Sequence, residues 1–240
     1  GINGWEFSVE GYYKDMRNVL EYKDGVSFFG SSSGWENKVE MGKGRSAGIE
    51  FMAQKTAGKT TGWLSYTLSK SDRKFTKGGI NNGEWFPYKY DRRHSINLTI
   101  NHKFSDRIDI GASWVFYTGG TSTIPEEKTT VIRPHNGANN GFLWYGTYDN
   151  TNSSPTIGDV SYIEHRNNFR LPASHRLNLG VNFNKKTKHG MRTWNISLYN
   201  AYNAMNPAWV YRGHNKQGLS VIKKYTLLPL IPSFTYTYKF

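Results

Sequence analysis

Polar and apolar positions alternate one for one through much of the chain. In WEFSVEGYYK one face holds Trp5, Phe7, Val9, Gly11 and Tyr13, and the other holds Glu6, Ser8, Glu10, Tyr12 and Lys14. SAGIEFMAQ sets Ala47, Ile49, Phe51 and Ala53 against Gly48, Glu50, Met52 and Gln54, and WLSYTLSK sets Leu64, Tyr66 and Leu68 against Ser65, Thr67 and Ser69. The same period of two runs through SINLTINHKF (Ile96, Leu98, Ile100, Phe104, with His102 out of pattern) and IDIGASWVF (Ile108, Ile110, Ala112, Trp114, Phe116). It recurs in LNLGVNFN (Leu177, Leu179, Val181, Phe183) and WNISLY (Trp194, Ile196, Leu198). The eighth segment, SFTYTYKF, puts Phe234, Tyr236, Tyr238 and Phe240 on one side of Ser233, Thr235, Thr237 and Lys239. Successive side chains of an extended strand point to opposite faces. The pattern therefore predicts eight amphipathic strands; no segment repeats at the helical spacing, and the fold class is all-β.

The connections decide which kind of β protein these strands make. Long and short alternate: residues 23–45, then a turn near 57; 72–93, then a turn at 105–106; 118–175, then a turn at 185–190; and 205–218 before the last strand. Short turns at one end and long loops at the other describe an antiparallel transmembrane β-barrel of a bacterial outer membrane, with long loops outside and both chain ends periplasmic. The apolar faces named above carry no Lys, Arg, Asp or Glu. A lipid-facing surface demands this, since one Lys or Arg at the bilayer midplane costs about 2–4 kcal/mol. Charges, Asn, Ser and Thr fall on the opposite faces, which then line a wet interior. A soluble sandwich or small barrel reverses that sense; the turn asymmetry and the aromatics near strand ends favour the membrane sense.

Composition narrows the partners. Hydrophobic residues make up 37% of the 240 and aromatics 15%, a balance that suits neither a helical protein nor a disordered one. No stretch of 18 apolar residues is present, so no transmembrane helix is expected. The net charge of +13 raises nucleic acid as a partner. The basic residues, however, are scattered between strands and at strand ends, and no nucleic-acid binding is expected. Without cysteine there is no disulfide or thiolate metal site, which is compatible with export. The histidines show no metal-ligand spacing, GKGRSAG lacks the Lys-Ser/Thr pair of a phosphate loop, and no nucleophile–base set is legible. Neither metal, cofactor nor enzymatic activity is expected.

Longer stretches carry a resemblance. VEGYYKDMRNVLEY, GKGRSAGIEF, WFPYKYDRRHSINLTINHKF, LPASHRLNLGVNF, LYNAYNAMNP and YTLLPLIPSFTYTYKF, in this order, span nearly all of the chain. Together they resemble the last third of a TonB-dependent outer-membrane transporter of the SusC/RagA-like group of Bacteroidota. The resemblance implies a barrel of about 22 strands around a plug, of which residues 1–240 are the C-terminal part without the plug. The beginning, GINGWEFS, lacks Met and the marks of a signal peptide, as expected of a processed or partial product. It implies active import of a nutrient, a glycan or a peptide. The partners implied are the plug and earlier strands, TonB acting through an N-terminal part, a SusD-like surface lipoprotein, outer-membrane lipid and the β-barrel assembly machinery. Phe240, with Tyr238, Tyr236 and Phe234, resembles the signal that such barrels present to that machinery. The alternative is a self-contained eight-stranded barrel with a structural or adhesion role. The two differ at the edges: a closed ring pairs the strand at 5–14 with that at 233–240, and an open wall leaves them apart.

Two outer loops hold the candidate ligand residues. The loop at 118–175, read as lacking regular structure, carries Arg133, His135, Trp144, Tyr145 and Tyr148; the preceding loop carries Trp85 and Tyr88. A loop this long without regular structure is usually functional or disordered, and exposed Trp and Tyr can stack on sugar rings or close onto a partner. Packing on their own barrel is the other reading. RRHSINL at 92–98 and SHRLNL at 174–179 echo each other. A shared way of starting a strand at the outer rim explains the echo, with a ligand role for His94 or His175 as the alternative.

Overall fold

The computed structural model describes residues 4–23, 34–76, 79–125, 127–133 and 156–240, with the backbone alone at 127–133 and 156–162. In chain order the strands are β1 (Trp5–Tyr22), β2 (Val39–Lys55), β3 (Thr60–Lys74), β4 (Phe86–Pro87), β5 (His94–Lys103), β6 (Ile108–Tyr117) and β7 (Thr121–Ser122). They continue as β8 (Glu127–Arg133), β9 (Thr156–Tyr162), β10 (Phe169–Arg170), β11 (Ser174–Thr187), β12 (Gly190–Tyr199), β13 (Pro207–His214), β14 (Ser220–Thr226) and β15 (Ile231–Lys239). The main sheet runs β1-β2-β3-β5-β6-β11-β12-β15, every neighbour antiparallel, with β4 added beside β3. These long strands are the expected eight.

The register explains why the alternation is strict. Phe7 lies opposite Ala53, Ala53 opposite Leu64, Leu64 opposite Leu98, Leu98 opposite Trp114 and Trp114 opposite Leu177. Ile110, Val181, Ile196 and Phe234 form a second such row. A slip of one residue would turn a whole apolar set to the polar face. Among the described residues nothing packs on the apolar face: Phe7, Ile49 and Ile196 are exposed. A bare apolar sheet of this extent is a lipid-facing or partner-facing surface.

The sheet is an open wall. Among the described residues β1 pairs only with β2 and β15 only with β12, and no ladder joins β1 to β15. Both outer edges lie free among the described residues. Trp5 stands opposite Lys55 and Lys239 opposite Met191, so both ends of the wall lie on the short-turn side. At the 104–107 turn, a hydrogen bond to Lys103 Nζ (2.9 Å) and its charge hold the Asp106 carboxyl below the usual carboxylate range.

Three strands are longer than the alternation suggests. β1 continues to Tyr22, β2 begins at Val39 and β3 ends at Lys74, which shortens the first long connection to 23–38. Beyond the lipid there is no apolar phase to impose alternation, so these extensions are charged. Asn18, at φ 58°, adds one residue to β1 and shifts the register between Arg17 and Val19. Asn tolerates this left-handed conformation, and the bulge exchanges the faces. Above it Leu20 is exposed, while Val19 packs inward on the buried cluster of Phe75, Ile80 and Phe86.

Two loop expectations are corrected. The connection at 118–173 is not devoid of regular structure: it contains β7, the hairpin β8–β9 and β10. The last connection, expected at 205–218, spans 200–230 and folds into the hairpin β13–β14, with Trp209 stacked on Tyr225 at 4.3 Å. The asparagines of LYNAYNAMNP pin its base. Asn200 Nδ2 donates to Ala204 O and Leu228 O (both 3.1 Å), Asn203 Oδ1 accepts from Leu230 N (3.1 Å), and Asn206 Oδ1 accepts from His175 N (3.0 Å).

The wall has a second tier above this base. β4 stands above β5, β7 above β6 and β10 above β11, each separated from its lower strand by a short break. The upper pieces join sideways: Arg73 opposite Phe86, Thr121 N to Lys89 O (3.0 Å), and Arg170 opposite Thr121. The breaks require glycine in the middle strand. A Cβ on Gly119 would lie 2.0 Å from Leu171 O, and one on Gly120 2.5 Å from Lys89 O.

Candidate functional site: the polar face and its rim

The polar face is knit across strands. Asp109 accepts from Asn182 Nδ2 and Asn184 Nδ2 (both 2.6 Å), Asn195 Nδ2 donates to Asn182 Oδ1 (2.7 Å), and Thr193 Oγ1 donates to Asn184 Oδ1 (2.7 Å). These residues face one another in the register of β6, β11 and β12. Such a connected carpet satisfies its polar atoms without closing the surface to water or to a protein partner.

Toward the outer end the polar face becomes cationic and aromatic. Arg73 lies over the Tyr88 ring at 4.1 Å and Arg92 over Tyr117 at 3.9 Å, while Arg176 covers Tyr199 at 4.3 Å and also donates to its hydroxyl. Guanidinium planes favour such stacking. Between the first two stacks sits Asp91, its side chain 0% exposed. It accepts from Arg170 Nη2 (2.6 Å), Arg93 Nε (3.1 Å) and Ser71 N (2.7 Å). Arg170 Nη1 also donates to Asp91 O (2.7 Å) and Gly119 O (2.9 Å), filling the break between the tiers.

The segment 166–170 straps the rim together. Arg166 N donates to Asn81 Oδ1 (2.7 Å), and its guanidinium reaches Tyr22 O (2.8 Å) and Glu21 Oε1 (3.2 Å). Asn167 Nδ2 donates to Pro87 O (2.7 Å), and Asn168 Nδ2 to Ile124 O (2.9 Å). One short stretch thus holds the top of β1, the second outer loop and the beginning of its own loop.

A pocket of about 290 Å³ opens where the second and third loops meet the last hairpin. Lys89, Tyr90, Arg92, Tyr117, Leu171 and Trp209 are among the residues that line it. No carboxylate lines it among the described residues. The nearest acid in sequence, Asp91, is already held by Arg170 and Arg93, so among the described residues Lys89 and Arg92 bring positive charge without an ion-pair partner to an aromatic cleft. That combination has the chemistry to hold an anionic or ring-bearing group.

Of the residues singled out from sequence, Tyr88 joins this rim under Arg73, whereas Trp85 packs on Arg45 at 4.3 Å. Arg133 ends β8, described by backbone alone, and His135, Trp144, Tyr145 and Tyr148 lie outside the described residues. His94 and His175 are each tied to a tyrosine: His94 Nδ1 to Tyr66 OH (2.9 Å) and His175 Nδ1 to Tyr202 OH (2.8 Å). The shared strand beginning therefore has a structural account. Phe234 and Tyr236 cluster with Trp194 on the apolar face, at 5.1 and 4.5 Å. Arg92, Arg170, Asp91 and Trp209 were missed; the KYDRR run was the available signal, but which of its charges is spent depends on contacts some eighty residues away.

A family model described as TonB dependent receptor-like, beta-barrel matches residues 1–204. No curated protein matches the chain.

Proposed function

The chain belongs to the family of TonB-dependent receptor-like β-barrels, and from that premise we propose that it is the C-terminal barrel part of a nutrient importer of the SusC/RagA-like group. The family comprises outer-membrane transporters of Gram-negative bacteria, not enzymes, which work with a plug domain and TonB. The free edges of β1 and β15 support a larger barrel, of about 22 strands, since unpaired backbone groups in lipid cost several kcal/mol each. In this reading the polar carpet faces the plug, substrate is captured at the loop end, and TonB draws on the plug to open the path. A SusD-like lipoprotein covers the loops.

The transported nutrient is a glycan or a short peptide, and the cationic, aromatic rim pocket is the observation that supports capture there. In cells carrying the full-length receptor, Arg92→Gln combined with Trp209→Ala is expected to lower uptake of labelled oligosaccharide or peptide at limiting concentration about tenfold or more. The folded amount stays unchanged. Undiminished uptake would remove the pocket from the pathway. Uptake that survives loss of TonB would remove the import reading itself.

The terminal aromatics act in assembly, not transport. Phe240 follows β15, whose outer edge is free among the described residues and whose Phe234 and Tyr236 are exposed, and this supports the reading. Deleting Phe240 is expected to lower receptor abundance in the outer membrane while uptake per folded molecule stays normal. Quantitative blotting beside uptake measures both, and normal abundance with lost uptake would contradict the assignment.

A further inference from the structure

The outward columns of the first three strands change chemistry above the apolar band. On β1 the column runs Val9, Gly11 and Tyr13, then Asp15 and Arg17; on β2 Phe51, Ile49 and Ala47, then Arg45 and Lys43; on β3 Tyr66 and Leu68, then Lys70, Asp72 and Lys74. The register sets Arg17 opposite Lys43 and Lys43 opposite Lys74. Three like charges side by side on one face destabilise an isolated sheet. Neighbouring acids do not relieve them. Asp72, 4% exposed, is held by Arg45 (3.0 Å) and Lys70 (3.5 Å), and Asp15 stands opposite Arg45. Among the described residues, Arg17, Lys43 and Lys74 have no ion-pair partner. Their row lies two residues, about 7 Å along the strand, beyond the first charged row and directly above the lipid-facing column. Long basic side chains at that level reach headgroup phosphates while their stems lie against the apolar phase.

We propose that Arg17, Lys43 and Lys74 bind the phosphates of an outer-leaflet lipid whose chains lie along Phe51, Tyr66 and Leu68. The headgroup supplies the negative charge that the cross-strand row lacks, and the apolar column supplies the surface for the chains. The site lies on the opposite face from the rim pocket and does not depend on what is transported.

The test uses the full-length receptor in non-ionic detergent, titrated with mixed micelles of a bis-phosphorylated diglucosamine lipid, with its dephosphorylated counterpart, and with inorganic phosphate. Wild-type protein is expected to bind the phosphorylated lipid, raising its unfolding temperature. Lys43→Gln combined with Lys74→Gln is expected to bind about thirtyfold more weakly, and added salt should narrow the difference. The dephosphorylated lipid and free phosphate should give no comparable shift. Equal affinity in wild type and double variant overturns the proposal, as does equal affinity for the dephosphorylated lipid or an equal effect of free phosphate. If the double variant does not fold, the wild type's discrimination between the two lipids decides the matter alone.

Discussion

Asp91→Ala is expected to destabilise the outer rim by about 3 kcal/mol, at the lower end of what breaking a buried ion pair costs. The carboxylate is fully buried and serves three donors: Arg170, Arg93 and Ser71 N. Its removal takes the carboxylate from both guanidinium groups and from one backbone N–H, although Arg170 keeps its bonds to Asp91 O and Gly119 O. The two arginines are about one-third exposed, at 33% and 35%, so water relieves part of the loss. The damage should be local. Hydrogen exchange of the full-length receptor in detergent should accelerate at 86–93, 119–124 and 166–171, while the lower parts of β5, β6 and β11 keep their protection. Unchanged exchange at those three segments would show that Asp91 does not hold the tiers together. Arg170→Gln should reproduce the same map more weakly, because Arg93 then still neutralises the carboxylate.

Leu98→Arg and Asn97→Arg, adjacent substitutions of the same kind, are expected to differ sharply. Leu98 stands between Leu64 and Trp114 in the outward row, whereas Asn97 stands between Ser65 and Val115 and donates to Ser65 Oγ at 3.4 Å. An arginine on the lipid side near the middle of the apolar band costs about 2–4 kcal/mol, and one on the polar side little. The folded fraction after insertion into bilayers, read by heat-dependent gel mobility, should fall for the first and stay near wild type for the second. Comparable folded fractions would mean that the apolar face does not meet lipid.

The wall was legible in the sequence because lipid and water impose opposite demands on alternate residues. Trp114, Leu179 and Ile196 could only be sorted one way, and eight such sets with alternating connections define the meander. The tall ends of β1–β3 were not legible, since their outward columns turn from apolar to charged and the period of two fades. Asn18 looks like any polar residue in a strand, although one such insertion exchanges the faces. The upper tier rests on pairs such as Phe86–Pro87 and Phe169–Arg170, too short to have a period. Aromatics drew the eye to Trp85 and Tyr88, but the rim is organised by Asp91 and Arg170, distant in sequence. The hairpin β13–β14 went unseen because its strands are short, eight and seven residues, and the first opens on Asn206-Pro207, which reads as a turn.

The aligned breaks at 88–93, 118–120 and 171–173 have a consequence for how such a receptor can diversify. Each break ends one hydrogen-bonded ladder and begins another, so an insertion above it need not propagate into the register below. Gly119 and Gly120, together with the Arg170 guanidinium, form a joint at which the lower wall is indifferent to the length of what is mounted on it. The outer loops above this joint can therefore change in length while the strands below keep their register.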